Sequence, residues 1–240
     1  MNFIINTDLT VNKNLLRTDF IKNWDDIVVA GGHIIAAIKN NEEASLSGDI
    51  DIFIVGKKLT KEKIVQKVKN IYKWLTDFYE QKPTIKMYNE TATMLVKNHK
   101  IQVITQRTFS SVSELLNSFD LDCCRFAFDG KSLITVKRGY QFLTTNKVSV
   151  CKQNTLLRNH DAPVDRYRVA KLTGRIKKYL SRYQIDVEYT DTPDLQIHQF
   201  VYNDATDSDV LKEYGYPGKE ISYIKYIELL NADKLFDNSD

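Results

Sequence analysis

The stretch 27–55 constrains the fold more than any other part of the chain, and it reads IVVAGGHIIAAIKNNEEASLSGDIDIFIV. Its first four residues are β-branched or small and predict a buried strand, which Gly31 and Gly32 end. The isoleucines after the glycines have helical spacing, and the last seven residues predict a second strand. Asp49 and Asp51 are two residues apart on it, so both side chains leave the same face, about 7 Å apart.

Two carboxylates on one face of an apolar strand repel each other and resist burial, so they favour a bound cation. Gly31 and Gly32 open a helix, whose first N–H groups lie at the positive end of its dipole and suit a phosphate. The alternative is a strand that leaves solvent with two surface acids, and one Asp-x-Asp is a weak signal. Because Asp is disfavoured in strands and Ser47-Gly48 precedes the pair, we favour a metal site beside a phosphate site.

The overall composition excludes several classes of protein. The 240 residues suffice for one large or two small domains, and the net charge of +3 indicates no global attraction to nucleic acid or membrane. The three cysteines are odd in number, with Cys123 and Cys124 adjacent, which favours a reducing compartment. No signal peptide, membrane-span-length apolar run, Walker loop or dinucleotide-binding glycine pattern is present, so we predict a cytoplasmic protein without a membrane partner.

The other residues up to 151 alternate between helical and strand patterns. Asp19–Trp24 and the amphipathic stretch after Thr60 predict helices, and 123–128 with 132–136 predict a hairpin. Three short β-rich runs predict a meander of adjacent strands: 84–88, 92–96 and 100–105. We predict an α+β (α/β-like) fold, a mixed twisted sheet flanked by helices, over residues 1–151.

Residues 152–240 are predicted to be mainly helical, with a boundary near 152–162 and a final helix from Lys219. They form a second unit or pack with the first as one. A helix over 166–182 combines an apolar stripe with a basic stripe. The apolar stripe is Val169, Leu172, Ile176, Leu180 and Tyr183, and the basic stripe is Arg168, Lys171, Arg175, Lys178 and Arg182.

The basic stripe has two interpretations of equal weight. It is either a solvated helix face, whose long side chains cover apolar neighbours, or a groove floor that binds phosphates of a nucleotide, RNA or DNA. Tyr179 and Tyr183 lie beside it and either stack on bases or pack in the core.

Two motifs carry a resemblance to a known superfamily. Ala30-Gly31-Gly32 and the run SGDIDI (47–52) resemble the first two motifs of the DNA-polymerase-β-like nucleotidyltransferases, and the order of elements over 18–105 matches their minimal fold. A narrower likeness is to nucleotidyltransferase-like domains of large DNA viruses and phages, which the runs IQVI, SFDLDCC and FDG resemble. The likeness covers about residues 25–150, and a viral protein would act in the host cytoplasm.

The resemblance implies a reaction and its cofactors. A nucleoside monophosphate would pass from an NTP to an acceptor hydroxyl of an RNA end, a protein or a small molecule, with Mg²⁺ or Mn²⁺ and release of pyrophosphate. Asp49 and Asp51 would bind the metal. Gly31, Gly32 and Ser47 would contact the phosphates.

The third acid of the superfamily is missing at its expected position. That position falls at Gln102, whose amide oxygen can bind a metal but brings no charge and cannot take a proton. Asp122 and Asp120, which precede the next predicted strand, are candidate replacements. The alternative to an enzyme is therefore a degenerate nucleotidyltransferase that binds nucleotide, nucleic acid or a protein partner without turnover.

Overall fold

The computed structural model of the chain describes residues 4–7, 11–88, 91–151, 163–190 and 219–232. Their strands are β1 (Ile4–Thr7), β2 (Ile27–Ala30), β3 (Ile50–Val55), β4 (Thr84–Tyr88), β5 (Thr91–Val96), β6 (His99–Phe109), β7 (Phe126–Phe128), β8 (Leu133–Val136), β9 (Lys147–Cys151), β10 (Asp186–Thr190) and β11 (Lys219–Ile221). Their helices are α1 (Lys13–Leu16), α2 (Gly32–Ile38), α3 (Glu42–Ser47), α4 (Lys61–Tyr79), α5 (Val112–Ser118), α6 (Lys137–Thr145), α7 (Pro163–Tyr183) and α8 (Tyr223–Asn231), with a 3₁₀ turn at Asp122–Cys124.

The predicted fold class is confirmed, because a nine-stranded mixed sheet forms the centre of the molecule and helices flank it. The strand order is β1-β8-β7-β2-β3-β6-β5-β4-β11. Strands β3 and β6 are parallel, and the other neighbours in this sheet are antiparallel. Strands β4, β5 and β6 form the predicted meander, and β9 pairs with β10 in a separate two-stranded sheet.

The two faces of the sheet pack against different helices, because side chains alternate along each strand. On β3, Ile50, Ile52 and Ile54 join a core cluster with apolar residues of α2 and α4. Phe53 and Val55 point the other way, into a cluster with Leu115 and Leu116 of α5. Asp51 alternates with the isoleucines and therefore lies on the second face.

Several predicted elements need correction. The predicted helix Asp19–Trp24 is wrong, because the helix in this region is α1 and Phe20 is fully buried in a turn. The structure adds a helix that the sequence patterns do not predict, α3, which Asn41 caps by accepting the N–H of Ala44. The Thr60 cap of α4 is confirmed.

The predicted hairpin 123–128/132–136 is confirmed only in part. Strands β7 and β8 pair as expected, but Cys123 and Cys124 belong to the 3₁₀ turn and not to a strand. In α7, Leu172, Ile176 and Tyr183 are buried as predicted, whereas Leu180 is 39% exposed and the buried position is taken by Tyr179. Packing against the core, and not side-chain hydrophobicity alone, selects the inner face of this helix.

The C-terminal residues that the structure describes share the sheet and core of the first part. Lys219–Ile221, predicted to be helical, is instead β11, an edge strand paired with β4, and Ser222 caps α8 after it. Tyr226 and Leu230 of α8 lie in the core cluster. The predicted boundary at 152–162 lies outside the described residues. Within the described ranges, no helix has the length and apolarity needed to cross a membrane.

Candidate nucleotide site

Asp49 and Asp51 lie at the start of β3, where the chain enters the sheet from α3. Asp49 directly precedes the strand, Asp51 is its second residue, and both are half-buried. Burial, together with the nearby charge of Asp49, raises the pKa of Asp51 to about 7. A carboxyl group held in this way gains stability when a cation binds beside it, because the cation relieves both effects.

Gly31 lies against the Asp51 carboxylate. Its φ of +91° is a conformation that residues with a side chain rarely adopt, and a Cβ at this position would lie 3.5 Å from Asp51 Oδ2. The N–H of Gly31 donates to the carbonyl of Phe126 at 3.1 Å, which fixes the turn onto β7. Gly31 therefore supplies the shape of the turn and room for Asp51, and the N–H groups that begin α2 follow it.

Gly32 is covered by a residue of α7. A Cβ at Gly32 would overlap the hydroxyl of Tyr179 and lie 3.2 Å from its Cζ. Tyr179 is 4% exposed and stacks on Tyr183 with the ring centroids 5.8 Å apart, so both tyrosines are packing residues in this conformation. No local sequence pattern predicts this contact, because Tyr179 reaches the glycine turn only through the packing of α7.

Gln102 lies where the sequence analysis expected the third ligand. It is the register partner of Asp51 across the parallel pair β3–β6, so the two side chains share a face of the sheet. Its amide donates to Thr93 Oγ1 at 2.9 Å. Ser47 is exposed at the end of α3, two residues before Asp49.

Asp122 is held in a buried ion network. Its Oδ1 lies 2.7 Å from Arg138 Nε and 3.5 Å from Arg125 Nε, and its Oδ2 accepts the N–H of Ser149 at 2.9 Å. Among the residues that the structure describes, no three His, Cys, Asp or Glu side chains are grouped to hold a metal ion. Asp122 therefore does not complete a three-acid site with Asp49 and Asp51.

The basic stripe of α7 faces the acids in part. Arg175 and Lys178 both act to lower the pKa of Asp51, against the larger effect of burial, and Lys178 also interacts with Asp49. Lys178 is exposed and Arg182 is half-buried. The side chains of Arg168 and Lys171 lie outside the described residues.

Arg175 also joins α7 to the segment before β7. Its Nη1 lies 2.7 Å from each carboxylate oxygen of Asp120, and its Nη2 lies 3.6 Å from Cys124 Sγ. Cys123 and Cys124 are buried free thiols with their sulfur atoms 4.0 Å apart. The hydrogen bond with Cys123 and the charge of Arg175 lower the pKa of the Cys124 thiol.

Comparison with known proteins identifies the family. Residues 4–158 match the model of the Gabija anti-defense 2 family, Gad2. The chain belongs to the Gad2 family. The comparison with curated proteins gives no match.

Two solved structures resemble this Gad2-family chain. One is described as a tRNA-processing enzyme complex (16% identity, TM-score 0.43), and the similarity covers 68% of this chain and 40% of that one. The other is described as a tRNA-processing enzyme in an apo form (17% identity, TM-score 0.40), with 68% and 39% covered. The matched part is about two fifths of the length of these structures.

The site of this Gad2-family chain thus has two unequal halves. One half joins Asp49 and Asp51 to a glycine turn, a combination of oxygen ligands and backbone N–H groups that suits a divalent cation and a phosphate. The other half, beyond Asp51 on β6, presents the neutral amide of Gln102. The residues present fit one well-held divalent cation better than two.

Proposed function

We propose that this Gad2-family chain binds a nucleoside triphosphate with Mg²⁺ or Mn²⁺ and transfers the nucleoside monophosphate to an acceptor hydroxyl, releasing pyrophosphate. One observation carries the proposal: the Asp51 carboxylate lies directly against Gly31, the residue that caps α2. This contact joins the acid pair to the glycine turn, as the two sequence motifs require. The metal ion and the triphosphate would then each have protein groups to bind within one small region.

Each residue has a defined part in this proposal. Asp49 and Asp51 would hold the metal, and Gln102 would add a neutral oxygen. Gly32 and Ser47 would contact the phosphates through N–H and hydroxyl groups. The bound metal would supply activation of the acceptor hydroxyl and stabilisation of the leaving pyrophosphate.

The charged face of α7 supports a phosphate-containing acceptor. Lys178 is exposed beside the acids, and Arg182 lies one turn further along the helix. We propose that RNA or DNA binds along this face, with Arg168 and Lys171 continuing the stripe. Lys178→Glu with Arg182→Glu is then expected to weaken binding of a labelled oligonucleotide and to reduce its salt dependence, whereas an unchanged salt slope would favour a solvated face.

A second function is favoured by a separate observation, the lack of a third acid in the described part of the site. A chain with only Asp49 and Asp51 would bind the metal–triphosphate without turning it over. The protein would then act as a nucleotide-binding or partner-binding member of the fold. In both cases we propose that the site serves the anti-defence activity for which the family is named.

Label transfer tests the catalytic proposal. The protein is incubated with each α-³²P-labelled NTP, Mg²⁺ or Mn²⁺, and RNA or cell lysate, and label on macromolecules is measured. We expect incorporation by the parent and loss of at least a hundredfold in Asp49→Asn/Asp51→Asn. The matched control is Asp186→Asn/Glu188→Gln, which removes two exposed charges from β10 and should leave incorporation unchanged. Equal incorporation by the parent and the Asp49/Asp51 variant would refute the site.

Thermal shift separates the two functions. A ligand that binds only the native state must raise its stability, so stabilisation by MgNTP without label transfer would favour binding without turnover. No stabilisation by any of the four NTPs would refute both. Protection of phage against a Gabija defence system, compared between the parent and Asp49→Asn/Asp51→Asn, then tests whether the site serves the anti-defence activity.

A further inference from the structure

Helix α7 touches the candidate site at two points that the nucleotidyltransferase motifs do not account for. The Tyr179 hydroxyl occupies the space beside Gly32 that a side chain would fill. One turn earlier, Arg175 forms a two-oxygen ion pair with Asp120, between α5 and the 3₁₀ turn. Both contacts lie on the side of α7 that faces the glycine turn and Asp51.

Cys124 connects these two contacts. The Tyr179 hydroxyl and the Cys124 thiol are close enough to shift each other's pKa, and Arg175 Nη2 lies 3.6 Å from Cys124 Sγ. Cys124 and its neighbour Cys123 have no exposed surface. The polar groups of α7 therefore converge on one buried sulfur atom beside the turn.

The polar contacts are few compared with the apolar packing of the helix. Leu172, Ile176 and Tyr183 lie in the core cluster and hold α7 on the molecule, together with Tyr179, whose ring stacks on Tyr183. The Arg175 and Asp120 side chains are 34% and 23% exposed, so their ion pair is partly accessible to water. A small displacement of α7 would break the polar contacts, and the apolar packing of Leu172 and Ile176 would keep the helix attached.

We propose that α7 is a latch that closes the candidate nucleotide site in the ligand-free protein. The latch consists of the Asp120–Arg175 ion pair and the contacts of Tyr179 with Gly32 and Cys124. The Tyr179 hydroxyl covers Gly32 on its Cβ side, so a phosphate that approaches Gly32 from that side must displace it. Release of Arg175 from Asp120 then frees a second cation, beside the exposed Lys178, for the bound anion. This proposal concerns regulation of the site and rests on the proposed function for the identity of the ligand.

Hydrogen exchange tests the latch without any nucleotide. Asp120→Asn and Tyr179→Ala are each expected to raise amide exchange in 172–183 about tenfold, with no change in β2 and β3. Matched controls are Asp186→Asn and Tyr140→Ala, which alter exposed residues of β10 and α6. Exchange in 172–183 that does not differ from the controls would overturn the latch, and a rise in every strand would mean that the variant had lost global stability instead.

Thiol labelling is a second test of the latch, and it does not depend on a variant that could lose global stability. In a Cys151→Ser background, N-ethylmaleimide reports on Cys123 and Cys124 alone. MgATP added to this otherwise unchanged protein is expected to accelerate labelling at least fivefold, because displacement of Tyr179 and Arg175 uncovers Cys124. Labelling that does not change while MgATP demonstrably binds would overturn the latch and leave the proposed function standing.

Tyr179→Phe tests whether the Tyr179 hydroxyl blocks the site or contacts the ligand. This variant keeps the ring and removes the group that occupies the space at Gly32, so the Kd for MgATP should fall about tenfold. A weaker affinity would identify the hydroxyl as a ligand contact and overturn the latch. If no NTP binds the parent or the variant, the proposed function fails, and the latch is judged on hydrogen exchange in the Asp120 and Tyr179 variants.

Discussion

Asp51 and Asp122 both lie within the fold, but the groups that surround their carboxylates differ. Asp122 is 3% exposed, and two arginines and a backbone N–H contact its oxygens. Asp51 lies beside another acid, against the bare backbone of Gly31, and burial raises its pKa to about 7. The difference separates an acid that completes the protein's own structure from one that remains available for a ligand.

The electrostatic surroundings explain this separation. Arg125 has no exposed surface, and removing the carboxylate that faces it would leave a buried cation with less compensation. The cations nearest Asp51 come from α7, and their effect on its pKa is smaller than that of burial and of Asp49. Asp51 is therefore costly to ionise in the ligand-free protein, and Asp122 is costly to remove.

The largest expected effect comes from Asp122→Asn. Loss of the charge weakens the pairs with Arg138 and Arg125, and we expect the free energy of unfolding to fall by about 3–5 kcal/mol. Urea denaturation measures it, with Asp186→Asn as the control for removal of an exposed charge. A loss below about 1 kcal/mol would mean that the network around Asp122 contributes no more than a surface pair.

Asp51→Asn should raise the free energy of unfolding instead of lowering it. Because the folded-state pKa of Asp51 is raised from its ordinary value of 3.8 to about 7, the unfolded state loses its proton first as the pH rises. The parent thus loses stability between about pH 4 and pH 7, and the variant does not. We expect Asp51→Asn to be more stable by up to about 4 kcal/mol above pH 7 and equal to the parent near pH 4. Denaturation across this pH range checks both the sign and the window.

Gln102→Glu would place a third acid beside Asp51. The change adds a like charge and removes the amide that donates to Thr93, so the metal-free protein should lose about 1 kcal/mol at pH 8. Millimolar Mn²⁺ or Mg²⁺ should restore more stability to this variant than to the parent. Thr93→Val, which removes the same hydrogen bond without adding charge, is the control. Equal metal responses in the parent and Gln102→Glu would show that β6 does not border the metal position.

The smallest expected effect is that of Lys178→Gln. Lys178 opposes the raised pKa of Asp51, so its removal should move the pH midpoint of the stability loss upward by a few tenths of a unit. Because Lys178 is exposed, salt should reduce the difference. The neighbouring Lys177→Gln, also exposed on α7, is the matched control, and an identical midpoint for the two variants would place Lys178 away from the acids.

Local patterns were sufficient for the elements that carry their own signals. The β-branched runs predicted β2 and β3, the threonine cap and regular apolar spacing predicted α4, and three short runs predicted the meander. They failed where a packing partner decides the conformation. The predicted helix Asp19–Trp24 is absent because Phe20 and Ile21 are buried in a turn, and the start of the last predicted helix is a strand because β4 offers it an edge.

The candidate site likewise has features that local patterns predict and features that depend on packing. Asp49, Asp51 and the glycine pair are predictable from local sequence patterns, because their spacing and the alternation of a strand place both acids on one face. The position of Gln102 beside them is also predictable, and the parallel register of β3 and β6 confirms it. These features depend on local geometry and on one strand pairing.

The surroundings of these residues depend on tertiary packing. Packing places Asp122, a candidate metal ligand in the sequence, between Arg138 and Arg125, and it brings Tyr179 onto Gly32 from more than a hundred residues away. The pKa of a carboxyl group and the covering of a turn depend on which distant elements pack against them. That information resides in the packing of α7 and the 3₁₀ turn, and no local pattern of charge or hydrophobicity specifies it.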